Sequence, residues 1–317
     1  MKTIKHIRTA IALTAMIFTA YHGKAQYDAM FTQFMFNEMF INPAYAGSKD
    51  AMAVNLLHRQ QWLNFPGRPV TTTFSLHGPL MNNKMGVGIS VLNERIGKLN
   101  RNLVYGSYAY RVKTDKKGTL ALGLNAGIHN QVNKLSELKA TDIGDVQVSQ
   151  NTPSMFAPNF GFGLYYSTQK FYAGLSTPRM IDDGYMFDNN GSFNQSIKFN
   201  IHKFHYYVTI GRLFEISEDL KIKPQAMVKM VENAPLQFDI NANFLIKNMI
   251  WAGLAYRSNS SASAIVGVQV NPQFIVSYSY DYGLNAIQKY SQGSHEIGIT
   301  YLFSYKKIKN LSIKTLF

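Results

Sequence analysis

The chain has 317 residues, no cysteine, 13% aromatic residues and a formal charge of +14. Without thiols it has no disulfide framework, no cysteine-based zinc site and no thiol nucleophile; its length allows one large β-barrel or two ordinary domains. Mean hydropathy is −0.13 although Tyr (19) and Phe (21) far outnumber Trp (2), a pairing that strands with one lipid face and one polar face would produce.

The first 25 residues read as a secretory signal. Lys2, Lys5 and Arg8 form a basic start, Ile11 to Ala20 an apolar stretch, and Gly23-Lys24-Ala25 a small-x-small cleavage site before Gln26. A transmembrane helix would need roughly 20 apolar residues, and this run stops at Tyr21-His22-Gly23-Lys24. Losing Lys2, Lys5, Arg8 and Lys24 with the signal lowers +14 to +10. A basic excess on an exported chain points to lipopolysaccharide or an acidic protein partner, not to nucleic acid.

Residues 26–50 are rich in Phe and Met without a sustained period, and Asn42-Pro43 with Gly47 mark turns. This segment is expected as a plug in the lumen or at the periplasmic mouth of a barrel occupying 51–305. There the sequence alternates with period 2. Leu236, Phe238, Ile240, Ala242 and Phe244 face one way and Gln237, Asp239, Asn241 and Asn243 the other; Phe274, Val276, Tyr278, Tyr280 and Tyr282 oppose Ser277, Ser279 and Asp281. In 120–127 the second face carries Gly123 and Gly127, as a crowded lumen requires.

Fourteen such runs, from 52–62 and 70–78 to 272–282 and 294–305, predict an all-β fold: a transmembrane antiparallel β-barrel of about 14 strands with an N-terminal plug-like segment. The even-numbered connections are short. Odd-numbered ones such as 131–156, 178–203 and 283–293 are long, matching periplasmic turns and external loops. A soluble sandwich or solenoid could alternate in the same way but has no reason to sort loop lengths by parity. Residues 306–317 form a basic tail ending in Phe317.

No constellation reads as chemistry. His58 lacks a serine or carboxylate at a legible spacing, and His202 and His205 lack further ligands for a metal. Gly86-x-Gly88 and Gly161-x-Gly163 lack the third glycine and helix of a nucleotide loop, while Asp182, Asp183 and Asp188 match no calcium-loop spacing. The expectation is no enzyme, no catalytic residue, no metal and no cofactor. Arg59, Arg68, Arg95, Lys98, Arg101 and Arg257 fall near inferred external strand ends and are expected to reach lipid phosphates or a partner.

The stretch Phe31-Thr32-Gln33-Phe34-Met35-Phe36-Asn37, then Phe40-Ile41-Asn42-Pro43-Ala44-Tyr45-Ala46-Gly47-Ser48, resembles the N-terminal signature of the PorP/SprF family of Bacteroidetes outer-membrane proteins. Arg59-Gln60-Gln61-Trp62, Gly67-Arg68-Pro69-Val70-Thr71 and Ser75-Leu76-His77-Gly78-Pro79-Leu80 continue the resemblance in order. It is strongest over 28–97 and departs at Asn37-Glu38-Met39, where the family is more apolar or carries proline.

The resemblance implies an outer-membrane component of the type IX secretion and gliding machinery. Such a protein would bind a large secreted adhesin, or its type IX C-terminal domain, alongside other type IX components, and support its export or surface attachment. Asn42, Pro43, Tyr45, Gly47, Arg59, Trp62, Pro69 and His77 are the residues it offers for partner binding or for building the fold. The competing reading is a passive outer-membrane channel for small or hydrophobic molecules.

Overall fold

The computed structural model describes residues 28–49, 51–81, 83–114, 118–138, 150–188, 192–232 and 234–303. The expected signal peptide (1–25) and basic tail (306–317) lie outside them. The alternating runs become strands: β1 (Met52–Gln60), β2 (Val70–Leu80), β3 (Met85–Ile96), β4 (Leu99–Lys113), β5 (Thr119–Asn133), β6 (Met155–Ser167), β7 (Phe171–Thr177), β8 (Ile181–Phe187) and β9 (Phe193–Phe199). They are followed by β10 (Tyr206–Arg212), β11 (Phe214–Glu215), β12 (Leu220–Met230), β13 (Gln237–Ile246), β14 (Ile250–Arg257), β15 (Ser261–Asn271), β16 (Phe274–Gly283) and β17 (Ser294–Phe303).

Each wall strand pairs antiparallel with the next one in the chain, β7 passing directly to β10. Pairing of β1 with β17, from Met52↔Phe303 to Gln60↔His295, and of β10 with β12 completes the ring. Fourteen strands form the closed barrel; the two-residue β11 flanks the base of β12, and β8 and β9 pair only with each other. Closure matters because an unpaired main-chain group in hydrocarbon costs several kcal/mol. One side carries short connections such as 168–170 and 272–273; the other carries the long ones expected, 61–69, 134–154, 178–205 and 284–293, together with two tight turns at 97–98 and 258–260 that the sequence pattern did not set apart. Lys247 and Asn248 hold φ of +50° and +52° in one short turn, the left-handed pair that matches the twist of a tight hairpin.

Strand parity then sorts side chains. On β5, Leu120, Leu122, Leu124 and Ile128 point outward and are 38–59% exposed, whereas Ala121, Asn125 and His129 point into the lumen and are at most 7% exposed. The buried face of this protein is therefore the polar one. No helix among the described residues is long and apolar enough to cross a membrane.

The 178–203 stretch differs from the ordinary solvated loop that its Asp, Asn and Gly content suggests. It carries the β8–β9 hairpin, and the buried Asp183 carboxyl lies against the ring of the lumenal His129. Asp188 instead accepts from Ser192 N and Asn194 Nδ2 at the hairpin tip, so the aspartates of this stretch do not converge.

Candidate functional site

The lumen is filled by the chain's own N-terminal segment. Short 3-10 turns at Phe34–Phe36 and Pro43–Tyr45 flank a four-residue helix, α1 (Glu38–Ile41). Within it Phe31, Phe34, Met35, Met39, Ile41, Ala44 and Tyr45 are all buried. Asn42 caps the second 3-10 turn, its Oδ1 accepting from Ala44 N at 2.9 Å, and Pro43 follows at the first helical position where no N–H is needed.

Polar pins fix this plug from the external to the periplasmic end of the wall. Asp28 pairs with Arg179 at 3.0 Å and accepts from Tyr207 Oη at 3.2 Å. Below it, Glu296 accepts from Thr32 N (3.0 Å) and Gln33 N (2.8 Å), and Asp281 from Thr32 Oγ1 (2.8 Å). Arg59 joins both carboxylates, 2.6 Å from Asp281 and 3.0 Å from Glu296, with all three side chains at most 3% exposed. Arg257 pairs with Asp239 at 3.0 Å and donates to Phe31 O at 2.8 Å. Further down, Asn42 Nδ2 donates to Leu164 O (2.8 Å), Ser176 Oγ to Ile41 O (2.7 Å) and Gly47 N to His77 Nδ1 (3.2 Å).

Lumenal glycines make room for the plug backbone. A Cβ on Gly123 would overlap the main chain of Ala44, one on Gly86 that of Ala46, and one on Gly163 the Asn42 side chain. Gly47, at φ +69°, would place a Cβ 2.6 Å from Gly86 Cα. Tyr45 packs edge-on against His77 (5.2 Å) and Tyr165 (5.4 Å).

Glu38, at the departure from the signature, is accommodated by chemistry and not by solvent: it is 4% exposed and accepts from Tyr165 Oη at 3.1 Å. Burial pushes its carboxyl above the usual carboxylate range, with Lys223 opposing, and pushes the Lys49 ammonium down to about 8. Both shifts reduce the charge held at the base of the plug.

Six of the eight residues offered for partner binding or for building the fold, Asn42, Pro43, Tyr45, Gly47, Arg59 and His77, are therefore buried in the plug or against it. They build the lumen. Trp62 and Pro69 stand in the first external connection, where Gln61 N donates to Pro69 O (2.9 Å) and Trp62 N to Ser294 Oγ (3.1 Å). Arg59, Arg101 and Arg257, expected to reach lipid phosphates, point inward to Asp281 and Glu296, to Glu94 and to Asp239. Their inward parity was readable, since they fall in step with the polar residues of their strands. What no sequence pattern supplied is which carboxylate each would meet. His58 bonds Thr72 (2.9 Å); His202 pairs with Glu232 (2.5 Å) and His205 lies 3.6 Å from Asp28, so the two loop histidines take separate partners.

Residues 23–301 match the protein family described as type IX secretion system membrane protein PorP/SprF. The chain belongs to that family. The matched range takes in the plug and all of the barrel but the last two residues of β17, and family membership with a closed β-barrel makes the chain an outer-membrane component of the type IX secretion system. None of the curated proteins matches it. Among solved structures it is similar to the Ralstonia pickettii toluene transporter TbuX (11% identity, 84% of this chain and 93% of that one, TM-score 0.49). It is also similar to the P. putida toluene transporter TodX (9%, 85% and 95%, 0.49) and to Acinetobacter baumannii Omp33 (10%, 82% and 100%, 0.46).

Proposed function

We propose that this barrel is a non-enzymatic docking component: it binds a large secreted adhesin, or that protein's type IX C-terminal domain, and supports its export or its attachment at the cell surface during gliding. The observation that supports this reading is the pinned plug. Thr32, Gln33, Asn42 and Gly47 are held to the wall by buried hydrogen bonds, and fourteen strands enclose less space than the 16–18 of an aqueous porin. A folded passenger has no route through such a lumen, so the useful surface is the external rim and its long connections. Lipopolysaccharide would contact the same rim, and other type IX components complete the assembly. A passive channel would need a continuous path past the plug, which the buried pairs oppose.

The test is affinity purification of the tagged protein from native outer membranes, with mass spectrometry of what co-purifies. Recovery of a large secreted protein bearing a C-terminal secretion domain is the expected result. Repeated isolation of the barrel alone, from membranes shown to contain that adhesin, would overturn docking in favour of the channel.

A further inference from the structure

Between the plug and the outer half of the wall lies a cavity of about 80 Å³. Phe31 and Phe40 of the plug and Leu92, Leu103 and Met227 of the wall give it an apolar body. Its polar groups are unevenly matched. Arg179 is neutralised by Asp28 at 3.0 Å, Arg101 by Glu94, and Asp239 by Arg257. Lys229, 3% exposed, has its Nζ 5.7 Å from the centre of the Tyr207 ring, and no carboxylate lies within ion-pair distance of it among the described residues. Tyr105 Oη and Asn125 Oδ1, also on the cavity wall, are buried without a hydrogen-bond partner among those residues.

A surplus ammonium and an orphaned phenol beside apolar surface form an incomplete arrangement, because each unpaired buried polar group costs about 1–3 kcal/mol. An anion with a short hydrocarbon body completes it. We propose that this cavity binds a short-chain carboxylate, with Lys229 as counter-ion, the Tyr105 hydroxyl donating to a carboxylate oxygen, and the alkyl end against Phe31 and Leu103. Asn125 Oδ1 remains as acceptor for a water entering with it. Size limits the ligand to a few carbons, since a cavity of about 150 Å³ is what takes benzene. Asp28 and Arg179, at 17% and 16% side-chain exposure, stand at the mouth. The site is separate from the external rim used for docking and does not depend on that reading.

The experiment is calorimetric titration of the full protein, purified from outer membranes in a non-ionic detergent, with propionate and with neutral propionamide. Saturable propionate binding is expected, with propionamide weaker by about tenfold or more, the worth of a charge-assisted contact. Lys229→Met removes that preference and Lys229→Arg keeps it, each variant being checked for the heat-modifiable gel mobility of a folded barrel. Should Lys229→Met fail to fold, Tyr105→Phe serves, and it weakens propionate more than propionamide, because the hydroxyl bonds a charged carboxylate oxygen more strongly than an amide carbonyl. No saturable propionate binding by the parent protein, equal binding of the two probes, or an undiminished preference in the folded Lys229→Met or Tyr105→Phe protein would overturn the proposal.

Discussion

Replacing Arg59 by Met keeps the length of the side chain and removes the cation that joins Asp281 to Glu296. The two carboxylates are at most 3% exposed and lie within 3.0 Å of the guanidinium, so the variant leaves uncompensated charge in the lumen at a cost of about 3–5 kcal/mol. The same carboxylates hold Thr32 and Gln33. If the loss falls on plug attachment, the unpinned population rises by about two to three and a half orders of magnitude, at ~1.4 kcal/mol per tenfold. Planar-bilayer recording should then show long openings absent from the parent protein, and urea unfolding followed by the fluorescence of Trp62 and Trp251 should shift to lower concentration. The triple variant Arg59→Met, Asp281→Leu, Glu296→Leu should recover much of the midpoint, because an apolar group of similar volume often replaces a buried ionic cluster without loss. It should not restore the closed lumen, since Thr32 N and Gln33 N lose their acceptors. An Arg59→Met protein with the parent's midpoint and the parent's silence in the bilayer would refute the pinning argument.

Gly123→Val pushes a side chain into the main chain of Ala44 and should cost at least about 1–3 kcal/mol by urea midpoint, whereas Gly106→Val, whose Cβ meets only Ala126 O at 3.9 Å, should stay within about 0.5 kcal/mol. Asn42→Ala removes the bonds to Leu164 O and Ala44 N and should lower stability by about 1–3 kcal/mol. Acid should loosen the external end. Burial pulls His205 from 6.5 down to about 4, with Asp28 partly opposing, so the unfolded chain binds the proton first. Stability is full above pH 6.5 and declines towards pH 4 by up to about 3 kcal/mol, and a His205→Gln protein should show a flatter midpoint-against-pH curve.

The wall was legible because period 2 survives any choice of partner: Asp239, Asn241 and Asn243 had to share a face whatever they met, and they line the lumen. Loop parity fixed the side of each connection for a similar reason, since antiparallel neighbours leave no other choice. The interior was less legible. Phe34 and Met39 have no period to betray them, and the pairing of Thr32 with Asp281 spans 249 positions, beyond any local rule. The β8–β9 hairpin stayed hidden because Asp182-Asp183-Gly184 carries the composition of a loop, while its order comes from Asp183 meeting His129 and from Asn159 bonding Ile181. Six signature residues, read from the sequence as serving partner binding or the fold, lie inside for one physical reason: they are the places where plug and wall must fit.

That fit explains why charges and glycines stand in the buried face beside apolar clusters such as Phe31, Phe34, Leu57 and Leu92. Ionic clusters such as Arg59–Asp281–Glu296 add little net stability over an apolar filling, but a plug held only by apolar contact could slide along the barrel axis with little penalty. Carboxylates that accept from Thr32 N and Gln33 N at one end, and His77 accepting from Gly47 N at the other, fix its axial position. Gly86 and Gly123 supply the complementary steric key, each admitting the plug backbone at one point only. Registration of the plug also ties the two ends of the chain together, because β17, which carries Glu296, pairs along its length with β1, the strand the plug leads into. Barrel closure and plug seating thus use the same strands, and a barrel that closed with the plug outside would leave Glu296, Asp281 and Arg59 lining an open lumen without Thr32 and Gln33 to complete their hydrogen bonding.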